Sequence, residues 1–274
     1  MTCTVIVNRD SGNCNKLNIN SLLEKLQCTD AQVVNIDKTT DWSADDADTV
    51  IICGGDGTLH NAIEKYPNKQ LVYAPCGTLN ETALTEHILT SVGRVNDKLF
   101  SYVCATGSFT EIGYCASDKS KQRFKRVAYL PQVLRCYKSH QIHATLNVDD
   151  RTFTDDYTLL MVLKSHRCFG FEFNSAYKRN KGLYLLAIKS FGKDCLLNRA
   201  KMFFPFFRVF FVGAKPSVND RWLLLPFHKL TIDLDGPHDF CMDGEQRTFC
   251  GKLEISEQQL AHPIPILNAP NLKK

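Results

Sequence analysis

A strand-like run that leads into a glycine-rich turn and then a helix-like run is the feature that most restricts the fold of this chain. In residues 50–63, VIICGGDGTLHNAI, the glycines Gly54, Gly55 and Gly57 surround Asp56. Glycine lets the backbone approach a ligand closely or take a positive φ, and the helix start directs N–H groups and a positive dipole end at the turn. The turn therefore predicts an anion site, and phosphate fits it.

The glycine turn differs from the two best-known phosphate loops, because it matches neither G-x-G-x-x-G nor G-x-x-x-x-G-K-[ST]. An acidic residue among the glycines predicts that Asp56 reaches a magnesium ion, a ribose or a sugar-like hydroxyl. The alternative is a tight strand-to-helix turn in which Asp56 or Thr58 caps the helix.

Two further segments have the same character. YAPCGTLNETA, residues 73–83, follows an apolar run with Gly77 and Thr78 before a helical pattern, and NRDSGN, residues 8–13, follows the first apolar run. Parallel strands of a sheet end at a common edge, where ligands bind. We therefore expect the three loops to contribute to one site.

The order of the patterns predicts two fold classes within one chain. Strand patterns at residues 3–8, 31–36, 48–53 and 70–75 alternate with helical patterns at 20–26, 59–65 and 79–89. This alternation predicts a parallel sheet with helices on both faces. After about residue 93, strand patterns with short polar connections predict a mostly antiparallel β-sandwich.

The expected domains are an α/β domain over residues 1–93, a β-sandwich domain over 94–256 and a C-terminal strap over 257–274. The strap contains the proline-rich tail HPIPILNAPNLKK, which we expect to pack as an irregular segment on the first domain.

A pair of carboxylates occurs late in the chain, in FCMDGEQ, residues 240–246. In extended backbone Asp243 and Glu245 project to the same face, with Gly244 between them. Paired carboxylates raise each other's pKa, which makes one of them a competent general base toward a hydroxyl. The alternative is a β-turn with glycine at its tip, which the Asp-Gly dipeptide also predicts.

Composition excludes some classes of protein. A net charge of +4 permits attraction to anionic surfaces, but no basic stripe interleaved with aromatic residues indicates a nucleic-acid binder. The 12 cysteines include no C-x-x-C pair, and residues 1–8 lack a signal-peptide pattern. We interpret the cysteines as small buried hydrophobic residues in a reducing compartment, which predicts a cytoplasmic protein.

The most apolar stretch is MFFPFFRVFFV, residues 202–212. It is shorter than the ~20 residues that span a bilayer, and Pro205 and Arg208 interrupt it. Two interpretations stay open: a buried core element, or a surface that meets lipid and is flanked by Lys201 and Arg208.

Four blocks together resemble a known family. NRDSG (8–12), GGDGT (54–58), PCGTLNETA (75–83) and DGE (243–245) occur in the order of the diacylglycerol kinase and sphingosine kinase type of lipid kinases. The stretches ATGSFTEIGYCA (105–116) and FKRVAYL (124–130) are also similar, so the resemblance covers nearly the whole chain. It is strongest to the soluble bacterial branch of this superfamily.

The resemblance implies an ATP-binding α/β domain, a lipid-binding β-sandwich domain and a set of site residues. Glu245 would be the proton acceptor and Asp243 its neighbour at the magnesium-phosphate centre. The ligands of Mg²⁺ stay open, with Asp56 or Asp243 acting through Mg-ATP. The residues implied to meet the nucleotide are Asn8, Ser11, Gly12, Thr40, Gly54, Gly55, Asp56, Gly57, Thr58, Leu59, His60 and Thr78.

The function expected from these residues is ATP- and Mg²⁺-dependent phosphorylation of a lipid hydroxyl of the diacylglycerol or the sphingoid and ceramide type. A basic run would hold the protein peripherally at an anionic membrane, or would be only a solvated loop. No nucleic-acid partner is expected, and an edge strand could pair across a homodimer. The residues of the basic run are Lys119, Lys121, Arg123, Lys125 and Arg126.

One departure from the family pattern motivates an alternative. The family commonly has Asp before a glycine in the sandwich domain, where the Asp supports a structural magnesium, whereas this chain has Lys181 before Gly182. A catalytically impaired protein that binds nucleotide or lipid is therefore one alternative. NAD kinase is another because it shares GGDGT, although this chain lacks that family's Gly-Ser-Thr-Ala-Tyr block.

Overall fold

A computed structural model describes residues 2–37, 42–44, 46–108, 110 and 138–267 of the chain. Two compact units divide it, residues 1–91 with 259–274 and residues 92–258. Thr40 and the basic run of residues 119–126 lie outside the described residues. The division into domains over residues 1–93, 94–256 and 257–274 stays a prediction.

The first unit contains four strands and three α-helices within the described residues. These are β1 (Thr2–Asn8), a 3-10 turn (Cys14–Lys16), α1 (Ile19–Lys25), β2 (Asp30–Ile36), β3 (Thr49–Gly54), α2 (Asp56–Lys65), β4 (Gln70–Pro75) and α3 (Glu81–Thr85). The strands form a parallel sheet in the order β2-β1-β3-β4. Strands β1, β3 and β4 are almost wholly buried, as in sheets covered on both faces. The predicted parallel α/β fold is confirmed.

The helix predicted over residues 79–89 is shorter in the structure. Helix α3 ends at Thr85, and strand β5 (Ile88–Val95) begins three residues later. Leu84 and Ile88, two apolar residues within the predicted helix, are both more than half exposed. Leu89 and Val92 are buried from the strand instead, so the helical period at this position was wrong.

The second unit is dominated by antiparallel strands. Strands β5 and β18 each contain residues of both units. The elements of the second unit are β5, β6 (Lys98–Phe100), β7 (Val103–Gly107), β8 (Ile142–Val148), β9 (Arg151–Leu163), β10 (Arg167–Cys168), β11 (Phe171–Glu172), β12 (Leu183–Lys189), α4 (Leu196–Phe207), a π-helical turn (Arg208–Val212), β13 (Ser217–Val218), β14 (Trp222–Phe227), β15 (Lys229–Leu234), β16 (His238–Met242), β17 (Glu245–Phe249) and β18 (Lys252–Pro265).

A 12-stranded sheet organises this unit in the order β13-β14-β12-β9-β8-β15-β18-β5-β6, with β7, β16 and β17 joined beside that path. Alternate residues of the central strand β9 enter two separate cores. Leu160 and Val162 join one core, and Leu159 and Met161 join the other, which α4 covers with Met202. A mostly antiparallel second half of the chain is confirmed.

The tail is more regular than expected. Strand β18 runs to Pro265, and beyond it Leu267 N donates a 2.8 Å hydrogen bond to the carbonyl oxygen of Tyr73. The prediction of an irregular strap is wrong for residues 262–265, which continue β18, because proline is tolerated in a strand where its missing N–H is not needed for the ladder.

The cysteines only partly follow the prediction. Cys14, Cys53, Cys76 and three other described cysteines are free and buried, as expected of small hydrophobic residues. Cys3 on β1 and Cys28 instead form a disulfide, which the sequence interpretation did not anticipate. Cys195 and Cys250 are free and exposed.

Helices of the described ranges are all too short or too polar to cross a bilayer. The stretch of residues 202–212 lies within α4 and the π-helical turn. Met202, Phe206 and Val209 on one side of it are buried, as the core interpretation predicts, whereas the other side is exposed. Contact of the exposed side with lipid stays a prediction.

Candidate nucleotide site

The glycines of the first unit allow two turns to touch. A Cβ added to Gly77 would lie 2.8 Å from Gly55 Cα, and one added to Gly54 would lie 2.5 Å from the Thr58 side chain. Gly55, the N-cap of α2, has an ordinary negative φ of −92°. Gly77 is therefore required by the close approach of the turns after β3 and β4, and Gly54 by the Thr58 side chain of its own turn.

The carbonyl oxygen of Gly54 fixes the two turns to each other. It accepts hydrogen bonds from the backbone N–H of Cys76 at 2.7 Å and of Gly77 at 3.1 Å, and from the Tyr73 hydroxyl at 3.4 Å. Tyr73 is fully buried. Its burial, and to a smaller extent the nearby Asp56 carboxylate, raises the pKa of its hydroxyl well above the usual value. Tyr73 therefore stays protonated and remains a donor.

Asp56 joins the same two turns with its side chain. Its carboxylate accepts hydrogen bonds from the backbone N–H of Glu81 at 2.8 Å and of Thr82 at 3.2 Å, and the residue is buried. The first amides of a helix lack intrahelical acceptors, so Asp56 supplies the cap of α3 from a different turn. The alternative that Asp56 or Thr58 caps α2 is wrong, because the N-cap of α2 is Gly55 without a side-chain cap bond, and Asp56 caps α3 instead.

The loop after β1 completes the arrangement. Asn8 Nδ2 donates a 2.9 Å hydrogen bond to Thr58 Oγ1 at the start of α2. Asn13 contacts the third loop twice, through its N–H to the Cys76 carbonyl at 2.8 Å and through Nδ2 to the Gly77 carbonyl at 2.9 Å. The structure therefore brings together the three loops that the sequence singled out, and Asn13 is a connecting residue that the sequence interpretation missed.

The start of α2 is the feature best suited to a phosphate. Its first intrahelical bond runs from Leu59 N to the Gly55 carbonyl, so the amides of residues 56–58 precede the helical ladder. Ser11, Gly12 and Gly57 are half-buried and Thr78 is exposed. The Leu59 side chain is fully buried, and His60 is buried with its ring 3.5 Å from Glu64, so neither side chain faces outward.

Two cations lie next to the first loop. Arg9 and Lys16 line a shallow depression of about 720 Å³ together with residues 15 and 17–20. Neither was selected from the sequence, because single basic residues in a polar loop carry no pattern of their own.

Three cysteine side chains lie in the core next to the loops. Cys14, Cys53 and Cys76 belong to the core of the first unit, and Cys14 Sγ lies 3.5 Å from the Cys53 carbonyl oxygen. A hydrogen bond with Cys76 lowers the pKa of the Cys14 thiol, whereas burial raises the pKa of Cys53 far above its usual value. These small side chains leave the loop backbones able to pack closely.

In the second unit, Asp243 lies in a hairpin turn and not in extended backbone. Strands β16 and β17 pair through Met242 and Glu245, and the two turn residues Asp243 and Gly244 have φ values of 50° and 94°. Positive φ at both positions is the geometry for which Asp-Gly is favoured. The expectation that Asp243 and Glu245 project from one extended face is wrong, and the turn alternative is confirmed.

The Asp243 carboxylate is a buried anchor. It accepts hydrogen bonds from the Tyr102 N–H at 3.1 Å, the Val103 N–H at 3.0 Å and the Ser101 hydroxyl at 2.8 Å, and from the Ser101 N–H. Asp243 N donates in return to the Val103 carbonyl at 3.0 Å. The side chain therefore holds the hairpin to the segment before β7.

Glu245 has a different environment. Its side chain is 37% exposed, and Arg247 donates to it over 3.0 Å. It is the accessible carboxylate of the DGE block, since Asp243 is buried among backbone donors. Its role as a proton acceptor stays a prediction.

The position where the family pattern has an aspartate carries an exposed lysine. Lys181 precedes Gly182, whose φ is 145°, just before β12. Across the described parts of the chain, no group of three or more His, Cys, Asp or Glu side chains is arranged to hold a metal ion.

Residues 2–101 match the family model described as the diacylglycerol kinase catalytic domain. The matched stretch contains all three loops. The first part of the chain is therefore similar to the catalytic domain of diacylglycerol kinases. This confirms the resemblance drawn from the GGDGT, PCGTLNETA and NRDSG blocks.

Curated relatives of about half of this chain are also diacylglycerol kinases. The diacylglycerol kinase of Staphylococcus carnosus (strain TM300) is 25% identical, covering 47% of this chain and 49% of that protein, and the one of Staphylococcus saprophyticus is 26% identical over 46% and 48%. The chain thus spans about half the length of these curated relatives.

The fold is shared over almost the whole chain. A crystal structure of a diacylglycerol kinase from Bacillus anthracis str. Sterne gives a TM-score of 0.63 at 14% identity, covering 99% of this chain and 97% of that one. An NAD kinase from Archaeoglobus fulgidus, solved with ATP, gives 0.51 at 12% identity over 99% and 96%.

Proposed function

We propose that this chain is an ATP- and Mg²⁺-dependent lipid kinase. It transfers the γ-phosphate of ATP to a lipid hydroxyl, with diacylglycerol as the first candidate acceptor and a sphingoid base or ceramide as the second. The match of residues 2–101 to the catalytic-domain model and the names of the relatives support this proposal.

One observation carries the proposal. The loops after β1, β3 and β4 are hydrogen-bonded to one another around the start of α2, at the carboxyl ends of parallel strands. Sheets of this kind bind ligands at that edge, and helix starts favour phosphate. In the proposal the triphosphate meets the amides of residues 56–58 and the exposed Thr78, with Arg9 and Lys16 neutralising charge.

The chemistry requires a proton acceptor and an oriented acceptor hydroxyl. Glu245 takes the proton of the lipid hydroxyl, whose oxygen attacks the γ-phosphorus while the bond to the bridging oxygen of ADP breaks. Glu245 suits this role better than Asp243 because it is partly exposed. Asp243 supports the hairpin that carries Glu245, so its predicted place at the phosphate centre is the weaker part of the proposal.

Magnesium does not fit a protein cage in the described residues. The Asp56 and Asp243 carboxylates are each held by backbone N–H groups, and no cluster of metal-ligating side chains was found there. Mg²⁺ often binds through substrate phosphates with few protein ligands, so the proposal lets it arrive with ATP. No step is assigned to the ion.

The proposal includes a cytoplasmic protein that contacts an anionic membrane peripherally, because a lipid substrate with long acyl chains resides in a bilayer. Pairing of an exposed edge strand in a homodimer is a further proposed association. The Cys3–Cys28 disulfide does not suit a reducing compartment, and fractionation of cells with thiol labelling tests the location.

A transfer assay with γ-labelled ATP tests the proposal. The acceptors are dioctanoylglycerol, sphingosine, a short-chain ceramide and NAD⁺, each with and without Mg²⁺. Labelled lipid that requires Mg²⁺ supports the proposal and identifies the acceptor class. Labelled NADP⁺ would replace it by NAD kinase, which the shared fold of the Archaeoglobus fulgidus enzyme makes the second candidate.

A third outcome concerns loss of catalysis. ATP binding without transfer to any acceptor would indicate a nucleotide-binding protein, the alternative motivated by Lys181. The variant Lys181→Asp, which restores the residue of the family pattern, would then be assayed. Restored transfer would attribute the loss of catalysis to this position.

A further inference from the structure

Most of the exposed large apolar side chains in the described residues are concentrated on one short segment. Of the 12 such side chains there, seven lie between residues 196 and 212. They are Leu196, Leu197, Phe203, Phe204, Phe207, Phe211 and Val212, with exposures from 42% to 85%. We call them the phenylalanine face. Apolar side chains exposed singly are common, but a contiguous cluster of this size indicates an interaction surface.

The segment is anchored from its other side. Met202, Phe206 and Val209 are buried in the second core of the unit, against strands β9 and β12. Two opposite sides of one helix are thus apolar. The inner side explains why α4 packs on the sheet, and the outer side needs a different explanation.

The outer rings are ordered relative to one another. Phe203 stacks on Phe207 with ring centroids 5.7 Å apart, and Phe207 stacks on Phe211 at 5.4 Å. Phe171 of β11 extends the row by an edge contact with Phe211 at 5.1 Å. The rings form a continuous row along the helix, so little side-chain freedom would be lost when the surface is covered.

The charges within this segment are all positive, and the neighbouring acidic residues are paired, Asp194 with Arg199 and Glu172 with Lys178. No Asp or Glu occurs from Cys195 to Asn219, whereas Lys201 and Lys215 are exposed there. Phenylalanine and leucine beside lysine are typical of helices that lie in the interface of an anionic bilayer. Two copies of the face packed on each other would bring like charges together, whereas an anionic lipid surface would oppose them.

We propose that the phenylalanine face inserts into the interface of an anionic lipid bilayer. This inference deepens the proposed function, on which the choice of a lipid partner rests, because it names the surface that reaches the substrate-bearing membrane. It also gives the apolar stretch of residues 202–212 a role in membrane contact, separate from the role expected of the basic run of residues 119–126.

Vesicle binding without nucleotide tests the inference independently of catalysis. Wild type and the variant Phe203→Gln/Phe204→Gln/Phe207→Gln are floated with vesicles of phosphatidylglycerol and phosphatidylcholine. We expect the partition coefficient to fall at least about tenfold in the variant. The matched control, Val33→Thr/Ile88→Thr, changes exposed apolar residues outside this segment and should bind like wild type.

A fluorescence measurement separates insertion from adsorption. In a Phe204→Trp variant the added emission should shift to shorter wavelength with vesicles and be quenched by brominated acyl chains. Binding by wild type that survives the triple substitution would assign membrane contact to another element and overturn the inference. Emission already blue-shifted before lipid is added, with a dimer in sedimentation that the triple variant loses, would assign the face to a second copy of the chain.

Failure of the inference and failure of the proposed function are distinguishable. Transfer to water-dispersed dioctanoylglycerol needs no bilayer, so the triple variant should retain it while losing transfer to long-chain diacylglycerol in vesicles. Vesicle binding without any transfer would leave the face intact and remove the kinase proposal. Unchanged thermal unfolding of the triple variant checks that it is folded, as expected for exposed positions.

Discussion

Asp56 of the first unit and Asp243 of the second precede glycine in motifs that suggest chemistry, and both carboxylates accept backbone hydrogen bonds in the structure. Asp56 accepts two amides from α3 and joins two loops after parallel strands. Asp243 accepts three amides and a hydroxyl from residues 101–103 and joins a hairpin to the strand before it. The two turns differ in what they leave accessible.

The Asp56 turn leaves a helix start and neighbouring polar loops, which suit a phosphate. The Asp243 turn leaves one carboxylate, Glu245, on the adjoining strand. An acidic residue in a motif can therefore hold the backbone while an adjacent carboxylate stays accessible. The comparison predicts that substitutions at the two aspartates mainly lower the free energy of unfolding. The loss should be larger where more hydrogen-bond donors are left without an acceptor.

The largest expected effect is that of Asp243→Ala. Three buried amides and the Ser101 hydroxyl lose their acceptor, and alanine is strained at a φ of 50°. We expect the free energy of unfolding to fall by about 4 kcal/mol, measured by urea denaturation. Asp243→Asn keeps the backbone conformation and one acceptor oxygen, so it should lose less. Equal losses would show that the hydrogen bonds are not what Asp243 contributes.

A smaller loss is expected from Asp56→Ala, which leaves two buried amides at the start of α3 unpaired. We expect about 2 kcal/mol less stability, together with weaker ATP binding because one of the links between the second and third loops is lost. Urea denaturation and calorimetric titration with ATP measure the two effects. A loss larger than that of Asp243→Ala would contradict the ranking by number of donors.

Close contact of the two glycine turns predicts an asymmetry between Gly77→Ala and Gly55→Ala. The added methyl at Gly77 would lie 2.8 Å from the Gly55 backbone, whereas one at Gly55 would find its nearest neighbour at 3.5 Å. We expect Gly77→Ala to lower stability by roughly 1–3 kcal/mol and Gly55→Ala to be nearly neutral. Similar melting temperatures for the two variants would contradict the close approach.

The smallest loss of stability is expected from a substitution at Asp194, an exposed carboxylate. Arg199 beside Asp194, with the Ser139 N–H, holds the pKa of Asp194 well below its usual value. The stabilisation is present above an unfolded pKa of about 3.9 and is lost as pH falls through the lower folded pKa. Because solvent screens this pair, Asp194→Asn should cost below about 1 kcal/mol at pH 7. Urea denaturation at pH 7 and pH 3 should show the difference between wild type and variant shrinking at acid pH, and a difference that grows would contradict it.

Sequence patterns were sufficient for the parallel sheet and the three loops, because buried strands and glycine turns carry strong local signals. They were insufficient for Asp56 and Asp243, since the partners of Asp243 lie more than 100 positions away and no local pattern contains them. The exposed side of α4 was equally ambiguous, because an apolar run does not say which of its faces is buried.

The most direct test of the account is phosphate transfer by Glu245→Gln, with Glu254→Gln as an exposed carboxylate control on β18. The account predicts that Glu245→Gln keeps ATP binding and folding but loses kcat for dioctanoylglycerol by about 10²–10⁴-fold, while Glu254→Gln transfers phosphate like wild type. Undiminished transfer by a folded Glu245→Gln protein would contradict the assignment of Glu245 as the proton acceptor.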